Sequence, residues 1–488
     1  MRSADLSKLL LIGTTVLLGS CSVGPNYHRP AVAAPAAYKE PLPQYFKESD
    51  GWKTAEPGDT RLRGKWWELF DEPVLNQLEE QIGVSNQNLQ AAEARFRQAR
   101  AAARVSKSAR YPTISVAPGI GGLRNSSNRP GFPSTLNAPE SANLVLPLDF
   151  SYELDVWGRI RRTIEANRDL AQASAADVES VRLTLHSELA SLYFELRGID
   201  AQQQVLEATV NALEESLQLT RNRYEGGIAP KNDVAQAESQ LSSTRAELTD
   251  TAISRARLEH AIAVLVGQPP SAITIHPDKR SSFQPPVVPV ALPAQLLERR
   301  PDVAAMERRM AASNEAIGIA KAAFYPTVRL GSVLGMQGTS LVNWLSWPSH
   351  IWSVGPSAVQ TFFDGGRRQA ASDGATAAYE ATLASYRQTT LNAFQEVEDQ
   401  LAALRLLETE AKQQSEAVRS AEEALQLAKN RYQGGIDTYL EVLTAQAIAL
   451  SSQRRMIDIQ SRRMGVTVLL IKAVGGGWDE SRLPQVDN

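Results

Sequence analysis

The chain contains two copies of one sequence unit, and this repeat constrains the fold more than any other feature. Three short motifs occur once in each half, in the same order. They are Asn-Arg-Tyr-x-Gly-Gly-Ile at 222–228 and 430–436, Gly-Arg at 158–159 and 366–367, and Tyr-Pro-Thr at 111–113 and 325–327. We infer an ancestral duplication, with a first repeat at 62–270, a linker at 271–293 and a second repeat at 294–476.

Apolar or aromatic side chains recur every seven residues in the second repeat, a pattern typical of a coiled-coil seam. No proline interrupts the segment from Gly366 to Tyr432. The seam positions are Val397, Leu404, Ala411, Val418, Leu425 and Tyr432. Five of the six matching positions in the first repeat are also apolar or aromatic, and Gln203 is the exception. A helix of about 65 residues would be about 100 Å long, so it requires neighbours along its whole length, as in a bundle, rod or tube.

Each long helix is expected to end at a Gly-Gly pair and to be followed by a second helix. Glycine tolerates the left-handed conformation that closes a helix. Pro230 suits the first turn of the next helix in the first repeat, and Thr438 with Glu441 resembles a capping box in the second. Each repeat therefore predicts a helical hairpin, with tips at 226–233 and 434–441.

Short β-like segments lie between the helices. In residues 143–156 every second position from 144 to 154 is apolar or aromatic, and positions 149, 151, 153 and 155 between them are polar. The length suits a tilted transmembrane strand. A half-buried strand of a soluble sandwich is the alternative. The predicted strands lie at about 113–123, 143–155, 327–338 and 351–363. Because four strands cannot close a barrel and lipid does not tolerate an open edge, a membrane location would require several chains to share one barrel.

The N-terminus has the features of an export signal. Residues 1–20 carry a short apolar run that is typical of a signal peptide. Small residues before Cys21 resemble a bacterial lipobox, in which cleavage leaves a lipid-modified cysteine; an ordinary signal peptide with a chance cysteine is the alternative. Residues 21–61 are rich in proline and predict an extended segment, and 477–488 are a C-terminal tail.

Composition and motifs exclude several classes of function. The 51 Lys and Arg residues nearly balance the 54 Asp and Glu residues, which gives no reason to expect a nucleic-acid partner. A single cysteine excludes an intrachain disulfide and a cysteine-based zinc site. No catalytic, nucleotide-binding or metal-binding motif is present, so no enzyme is predicted, and the only cofactor-like group expected is the covalent lipid on Cys21.

Seven motifs together resemble one family along almost the whole chain. They are the lipobox at Cys21, Gly-Pro-x-Tyr-x-x-Pro at 24–30, Trp-Trp-x-x-Phe-x-Glu-Pro-x-Leu at 66–75, Tyr-Pro at 111–112, Glu-Leu-Asp-x-Trp-Gly-Arg at 153–159, Arg-Pro-Asp-Val at 300–303 and Arg-Tyr-x-x-Gly-Ile-Asp-x-Tyr-Leu at 431–440. The chain resembles the outer membrane factors of Gram-negative tripartite efflux pumps, the TolC-like channels. Within them it is most similar to the lipoprotein branch typified by OprM and NodT.

The resemblance implies an α+β membrane protein that works as a homotrimer. Each protomer would give four strands to a shared twelve-stranded β-barrel in the outer membrane and long helices to a periplasmic α-barrel with a small equatorial domain. The trimer would be a passive exit duct for drugs or other small molecules. A periplasmic adaptor and an inner-membrane transporter of RND type would deliver them.

Two other functions remain open at this point. The first is the exit duct of a type I protein secretion system. The second is a periplasmic coiled-coil lipoprotein without a pore, against which the amphipathic strand at 143–156 argues.

The hairpin tips are the predicted periplasmic gate. The resemblance implies that tyrosine and arginine contacts to carboxylates hold such tips closed. The candidate residues are Asp233, Asp437, Glu441, Tyr224, Tyr432, Arg223 and Arg431. A ring of carboxylates around a three-fold axis is expected to raise the pKa of some members by mutual repulsion and to attract cations. The alternative is that these residues only cap helices and end a seam.

Overall fold

A computed structural model describes most of the chain. The described residues are 22–31, 34–41, 64–124, 126, 140–278, 284–288, 296–478, 481, 483 and 484. The predicted signal peptide at 1–20 and the predicted lipid site at Cys21 lie outside them. The α-helices of the described part are α1 (Pro73–Ser85), α2 (Gln87–Ser108), α3 (Arg159–Glu225), α4 (Lys231–Leu265), α5 (Leu296–Arg299), α6 (Pro301–Ala322), α7 (Arg367–Gln433) and α8 (Tyr439–Ala473). Its strands are β1 (Thr113–Val116), β2 (Gly119–Arg124), β3 (Glu140–Leu154), β4 (Thr327–Gly338) and β5 (His350–Val359).

The helices of the two halves match in length. Both α3 and α7 have 67 residues, both α4 and α8 have 35, and both α2 and α6 have 22. α3 packs against α2, α4, α6 and α8, and α7 packs against α6 and α8. The fold is therefore mostly helical with one sheet, and the long helices have neighbours along their length as the heptad pattern requires.

The heptad seam faces the interior along most of both long helices. Leu189 and Leu196 of α3 and Leu404 of α7 are fully buried around the middle of the helices. Trp66 and the apolar face of α1 pack into the same core. Burial of these side chains in one core supplies the stability that an isolated helix of this length lacks in water.

The predicted strand at 113–123 is two strands in one register. β1 and β2 both pair antiparallel with β3, and the register continues unbroken from one to the other. The gap between them contains Pro118, and Pro147 lies in the facing part of β3. Because proline has no N–H to donate, the hydrogen-bond ladder is interrupted there.

The sheet has the order β1/β2–β3–β4–β5, and its two faces differ in polarity. Directly opposed residues share a face. One face is apolar and includes Ile114, Leu146, Leu148, Leu330, Leu334, Trp352 and Val354. The other face is mainly polar and includes Asn143, Asp149, Glu153, Arg329 and Gln337. β5 ends at Val359, four residues before the predicted end, where Gln360 instead donates its side-chain amide to the Phe324 carbonyl at 3.0 Å.

The N-terminal segment lies along the helices as an extended strap, residues 22–31 and 34–41. Its start lies at the helix end of the sheet, where the Val23 amide donates to the Trp157 carbonyl at 3.2 Å. Tyr27 donates to Glu307 of α6. Further along, the backbone amides of Lys39 and Glu40 donate to the two carboxylate oxygens of Glu398 on α7, at 2.6 and 2.9 Å. The described part of the expected extended segment is therefore held against the helices, and the rest of it, residues 21, 32–33 and 42–61, lies outside the described residues.

The described residues contain no cluster of histidine, cysteine and carboxylate side chains that could hold a metal ion. Among the helices of the described part, none has both the length and the apolar composition of a membrane span.

Candidate gate at the tips of the helical hairpins

The two hairpin tips have the same backbone turn. Gly227 and Gly435 both adopt a φ of +73°, which a residue without Cβ reaches at little cost. The following amides, of Ile228 and Ile436, donate back to the carbonyls of Arg223 and Arg431 at 2.8 and 2.9 Å. This is the Schellman arrangement that closes a helix. The sequence motif thus brings an arginine and a tyrosine to each turn.

The helices that follow begin differently from the prediction. Pro230 is the N-cap of α4 and not a residue of its first turn. Thr438 is the N-cap of α8, but its side chain makes no capping hydrogen bond, so the expected capping box does not form. Because α8 begins at Tyr439, Asp437 lies outside the helix, and helical spacing does not place it on one face with Glu441.

Arg431 and Asp437 form a two-point ion pair within the second hairpin. Nε and Nη2 of Arg431 donate to the two carboxylate oxygens of Asp437 at 2.5 and 3.0 Å. These hydrogen bonds lower the pKa of Asp437 and raise that of Arg431. Within one chain the neighbour of Asp437 is a cation and not another carboxylate, which explains the lowered pKa. The predicted rise in pKa concerns a ring of carboxylates from three chains and stays a prediction.

Arg223 reaches from the first hairpin to the second. Its Nη1 donates to the Tyr432 carbonyl at 2.9 Å, and its Cζ lies 4.7 Å from the centre of the Tyr432 ring. This is a cation–π geometry combined with a hydrogen bond. Arg223 therefore joins the two tips of one chain.

The two repeats use their equivalent arginines differently because their turns differ in sequence. The position that matches Asp437 in the first repeat is Ala229. With alanine at that position, Arg223 extends to the neighbouring hairpin, whereas Arg431 is bound by Asp437 of its own turn. The side chain of Tyr432 is 5% exposed and that of Tyr224 is 44% exposed, so the equivalent tyrosines also differ.

Tyr439 and Ser216 belong to the site but were not predicted. Tyr439 is fully buried, its ring centre lies 5.3 Å from that of Tyr432, and its hydroxyl lies 3.2 Å from the Ser216 hydroxyl oxygen. Burial raises the pKa of Tyr439. Tyr439 could have been predicted from the sequence, because it lies seven residues after Tyr432 and continues the heptad spacing across the turn.

The remaining candidates are spread around the tips. Asp233 is half-buried near Arg223, and burial raises its pKa while the arginine opposes that rise. Glu441 and Tyr224 are exposed. Within one chain the structure thus brings together Arg223 with Tyr432 and Arg431 with Asp437, but not Tyr224 or Glu441. Such contacts can hold adjacent hairpins at a fixed distance and can be released by loss of a single charge.

Comparison with known proteins identifies the family of this molecule. The sequence pattern of the outer membrane efflux protein family matches residues 78–268 and 292–476, more than half of the chain. The chain belongs to the outer membrane efflux protein family. This efflux protein is 28% identical over 480 residues to the pyoverdine export outer membrane protein OpmQ of Pseudomonas aeruginosa, with 98% of each chain covered.

Further matches agree with this assignment. The efflux protein is 29% identical over 476 residues to the cation efflux system protein CusC of Escherichia coli, with 97% of this chain and 99% of the relative covered. A solved structure of the outer-membrane channel OprN matches it with a TM-score of 0.83 at 30% identity, over 94% of this chain and 100% of that one. The protein is therefore an outer-membrane channel component of an efflux pump, located in the outer membrane and extending into the periplasm.

Proposed function

We propose that three copies of this chain form one continuous exit duct, with a twelve-stranded barrel in the membrane and a helical tube in the periplasm. The observation that carries this proposal is the sheet. Within the described residues of one chain, β1/β2 pairs only with β3 and β5 pairs only with β4. Two open edges next to an apolar face require further strands if that face meets lipid, and further copies supply them.

The same architecture supports a role for this protein in a tripartite pump. α3 and α7, each of 67 residues, would be about 100 Å long, which carries the duct deep into the periplasm. A periplasmic adaptor and an inner-membrane transporter of RND type would load it from the hairpin end. The relatives named above are an exporter and an efflux system, so we favour small-molecule efflux over protein secretion.

The cargo is proposed to pass without chemical selection by the duct. OpmQ is named for pyoverdine export and CusC for cation efflux, yet this chain is 28% and 29% identical to them. Overall similarity therefore does not point to one cargo. We propose that the transporter, and not this protein, selects what is exported.

A lipid on Cys21 would anchor the strap at the membrane surface. Ser22, the next residue, lies against Gly158 at the end of β3, where the sheet meets the long helices, and its hydroxyl accepts a hydrogen bond from Nε of Arg162 at 3.1 Å. A thioether-linked diacylglycerol with an N-acyl chain supplies the two hydrophobic signals that stable anchoring requires. Mass spectrometry of the mature N-terminus tests this, and an unmodified cysteine would contradict it.

Native mass measurement in mild detergent tests the assembly. We expect a particle of three chains that retains its β-sheet signal. A monodisperse monomer with an intact sheet would contradict the shared barrel, because one chain leaves two strand edges open.

Conductance tests the gate. In a planar bilayer the wild-type channel should have a small, cation-selective conductance that divalent ions reduce. The double variant Tyr432→Ala/Asp437→Ala removes the ring beneath Arg223 and the partner of Arg431, so we expect a larger conductance and entry of large antibiotics into cells. Wild-type conductance and selectivity in this variant would place the constriction elsewhere.

A further inference from the structure

The loop between β4 and β5 forms a compact structure that we call the apolar knob, residues 339–349. It lies at the end of the sheet farthest from the helices, because β4 leaves α6 and β5 leads to α7. The knob contains no Asp, Glu, Lys or Arg, and none occurs anywhere between Arg329 and Asp364. A loop in contact with water alone is normally polar, so this composition needs an explanation.

Hydrogen bonds within the knob satisfy much of its polar backbone. The Asn343 carbonyl accepts from the Ser346 hydroxyl at 2.5 Å and from the Ser349 hydroxyl at 3.1 Å. The His350 ring stacks on Trp347, and its Nδ1 donates to the Trp347 carbonyl at 2.6 Å. A loop that pairs its own polar groups can lie in an environment that offers few partners.

The knob folds onto the apolar face of the sheet. Gly338 is paired with Leu144, so a side chain at Gly338 would point to the apolar face. A Cβ built there would lie 2.8 Å from Cβ of Trp344, which shows that Trp344 occupies that place. Leu144 is only 2% exposed, in contrast to the exposed apolar residues further along the same face. The knob therefore continues the apolar surface of the sheet.

The outer surface of the knob is uncharged and mostly apolar. Its exposed apolar side chains are Leu341, Val342, Leu345, Trp347 and Pro348, and Val342 is 95% exposed. Thr339, Ser340 and Asn343 add exposed polar groups without charge. A contiguous apolar patch of this kind marks an interaction site, and tryptophan is enriched where membranes meet water.

We propose that the apolar knob inserts into the outer leaflet of the outer membrane, where it anchors the extracellular end of the sheet. This inference rests on the proposed function, in which the apolar face of the sheet meets lipid. The partner is the uncharged region of the leaflet, where acyl chains meet their headgroups, because the knob has no formal charge with which to bind phosphates. Continuity with the apolar face selects lipid over the pore interior.

Site-specific labelling tests this proposal. The chain has one natural cysteine, which the proposed lipid would block, so Val342→Cys can carry a single environment-sensitive fluorophore. Leu345→Cys is a second site on the knob. Leu334→Cys, on the exposed middle of the apolar face, and Ile436→Cys, at a hairpin tip, are the controls. Each labelled protein is placed in phosphatidylcholine vesicles, and emission is measured with nitroxide-bearing lipid or with aqueous iodide; the unsubstituted chain gives the labelling background.

The results separate this inference from the proposed function. We expect nitroxide lipid to reduce emission at Val342→Cys, Leu345→Cys and Leu334→Cys, and iodide to reduce it only at Ile436→Cys. Lipid quenching at Leu334→Cys with iodide quenching at both knob sites would overturn the inference and leave the proposed function intact. Protection of the knob from both quenchers would also overturn it, since the knob would then contact protein. Absence of lipid quenching at Leu334→Cys would overturn the membrane location of the sheet itself.

Discussion

Arg223 and Arg431 occupy matching positions of two similar turns, and the residue two places after each Gly-Gly pair decides what each arginine binds. Asp437 binds Arg431 at two points, whereas Ala229 leaves Arg223 free to reach Tyr432. The difference between Ala229 and Asp437 thus gives the two equivalent arginines of one chain different partners. Within a trimer, six hairpins would then alternate between two kinds of contact.

The ion pair at the second tip predicts a pH response. The pKa of Asp437 is lowered by Arg431, so the pair is fully present above the ordinary aspartate value of about 4 and is lost only as the pH falls through the lowered value. We expect wild-type conductance to stay constant from neutral pH down to about 4. Asp437→Asn should conduct more at every pH in that range. Glu441→Gln removes the same charge from an exposed neighbour, and an equal effect there would assign the change to total charge and not to the pair.

A buried pair in the middle of the molecule predicts a second pH response. His186 lies 2.6 Å from Glu79 and stacks on Trp67. Burial lowers the pKa of His186 to about 4 and raises that of Glu79 well above its usual value. Both shifts favour the uncharged form of the group in the folded protein.

The signs of these two shifts oppose each other. Between the ordinary pKa values of glutamate and histidine, about 4.5 and 6.5, the folded pair holds one proton on Glu79 and the unfolded pair holds one proton on His186. The number of bound protons does not change on unfolding, so the pair adds no pH dependence to stability. Above about 6.5 the unfolded chain holds no such proton, so stability falls as the pH rises towards the raised pKa of Glu79, by at most about 1.4 kcal/mol per pH unit. Glu79→Gln should abolish this fall and should make stability rise between pH 4 and 6.5. Thermal unfolding from pH 5 to 8.5 measures both slopes, with exposed Glu416→Gln as the control; unchanged slopes would contradict the assignment.

At the scale of elements, the sheet depends on close approach of β4 to a proline. Gly335 pairs with Pro147, and a Cβ at Gly335 would lie 2.4 Å from the Leu146 carbonyl oxygen. That atom belongs to the backbone, so it cannot move away by a change of side-chain rotamer. The close approach fits the break between β1 and β2, which also lies at Pro147.

Two strand glycines give a matched test of this contact. Gly335→Ala should destabilise the protein by about 1–3 kcal/mol, because β3 and β4 would have to separate locally. Gly355→Ala on β5 has no atom within 4 Å of its new Cβ and should be nearly neutral. Thermal unfolding of the detergent-solubilised protein measures both. Equal losses would show that the strands need glycine for another reason.

Periodic sequence patterns predicted the positions of the helices and strands far better than the contacts between their side chains. The heptad spacing and the Gly-Gly pairs located α3 and α7, because helix formation and helix ends depend on neighbouring residues. The interruption at Pro118 had a local signal, since proline donates no backbone hydrogen bond, but the facing Pro147 lies in another strand, and the register that joins the two prolines is not local. In the gate, the motif located Arg223 and Arg431, but the contact of Arg223 with Tyr432 joins residues 209 apart. The sequence around either residue does not predict such a contact.

At the scale of the whole molecule, the strap joins parts that are distant in sequence. Glu398 accepts both amides of residues 39 and 40, and Arg405 donates to the Glu40 carboxylate at 2.8 Å. Hydrogen bonds to a charged acceptor are stronger than neutral ones. This contact holds the strap against α7.

Removal of one charge should loosen the strap. Glu398→Gln keeps the shape of the side chain but offers one carbonyl oxygen in place of two carboxylate oxygens. We expect the amides of Lys39 and Glu40 to exchange hydrogen about tenfold faster or more. Asp399→Asn, whose carboxylate accepts only an exposed bond from Gln395, is the control. Hydrogen-exchange mass spectrometry of residues 34–41 provides the measurement, and unchanged exchange in Glu398→Gln would show that other contacts seat the strap.

The strap also implies an order in which parts of the chain fold and dock. Lys39 is bound by a carboxylate 359 positions later in the chain. A chain in which α7 has not formed lacks this binding site, however well its first half has folded. Docking of the strap therefore follows the folding of the second repeat, and a docked strap reports that both halves have folded together.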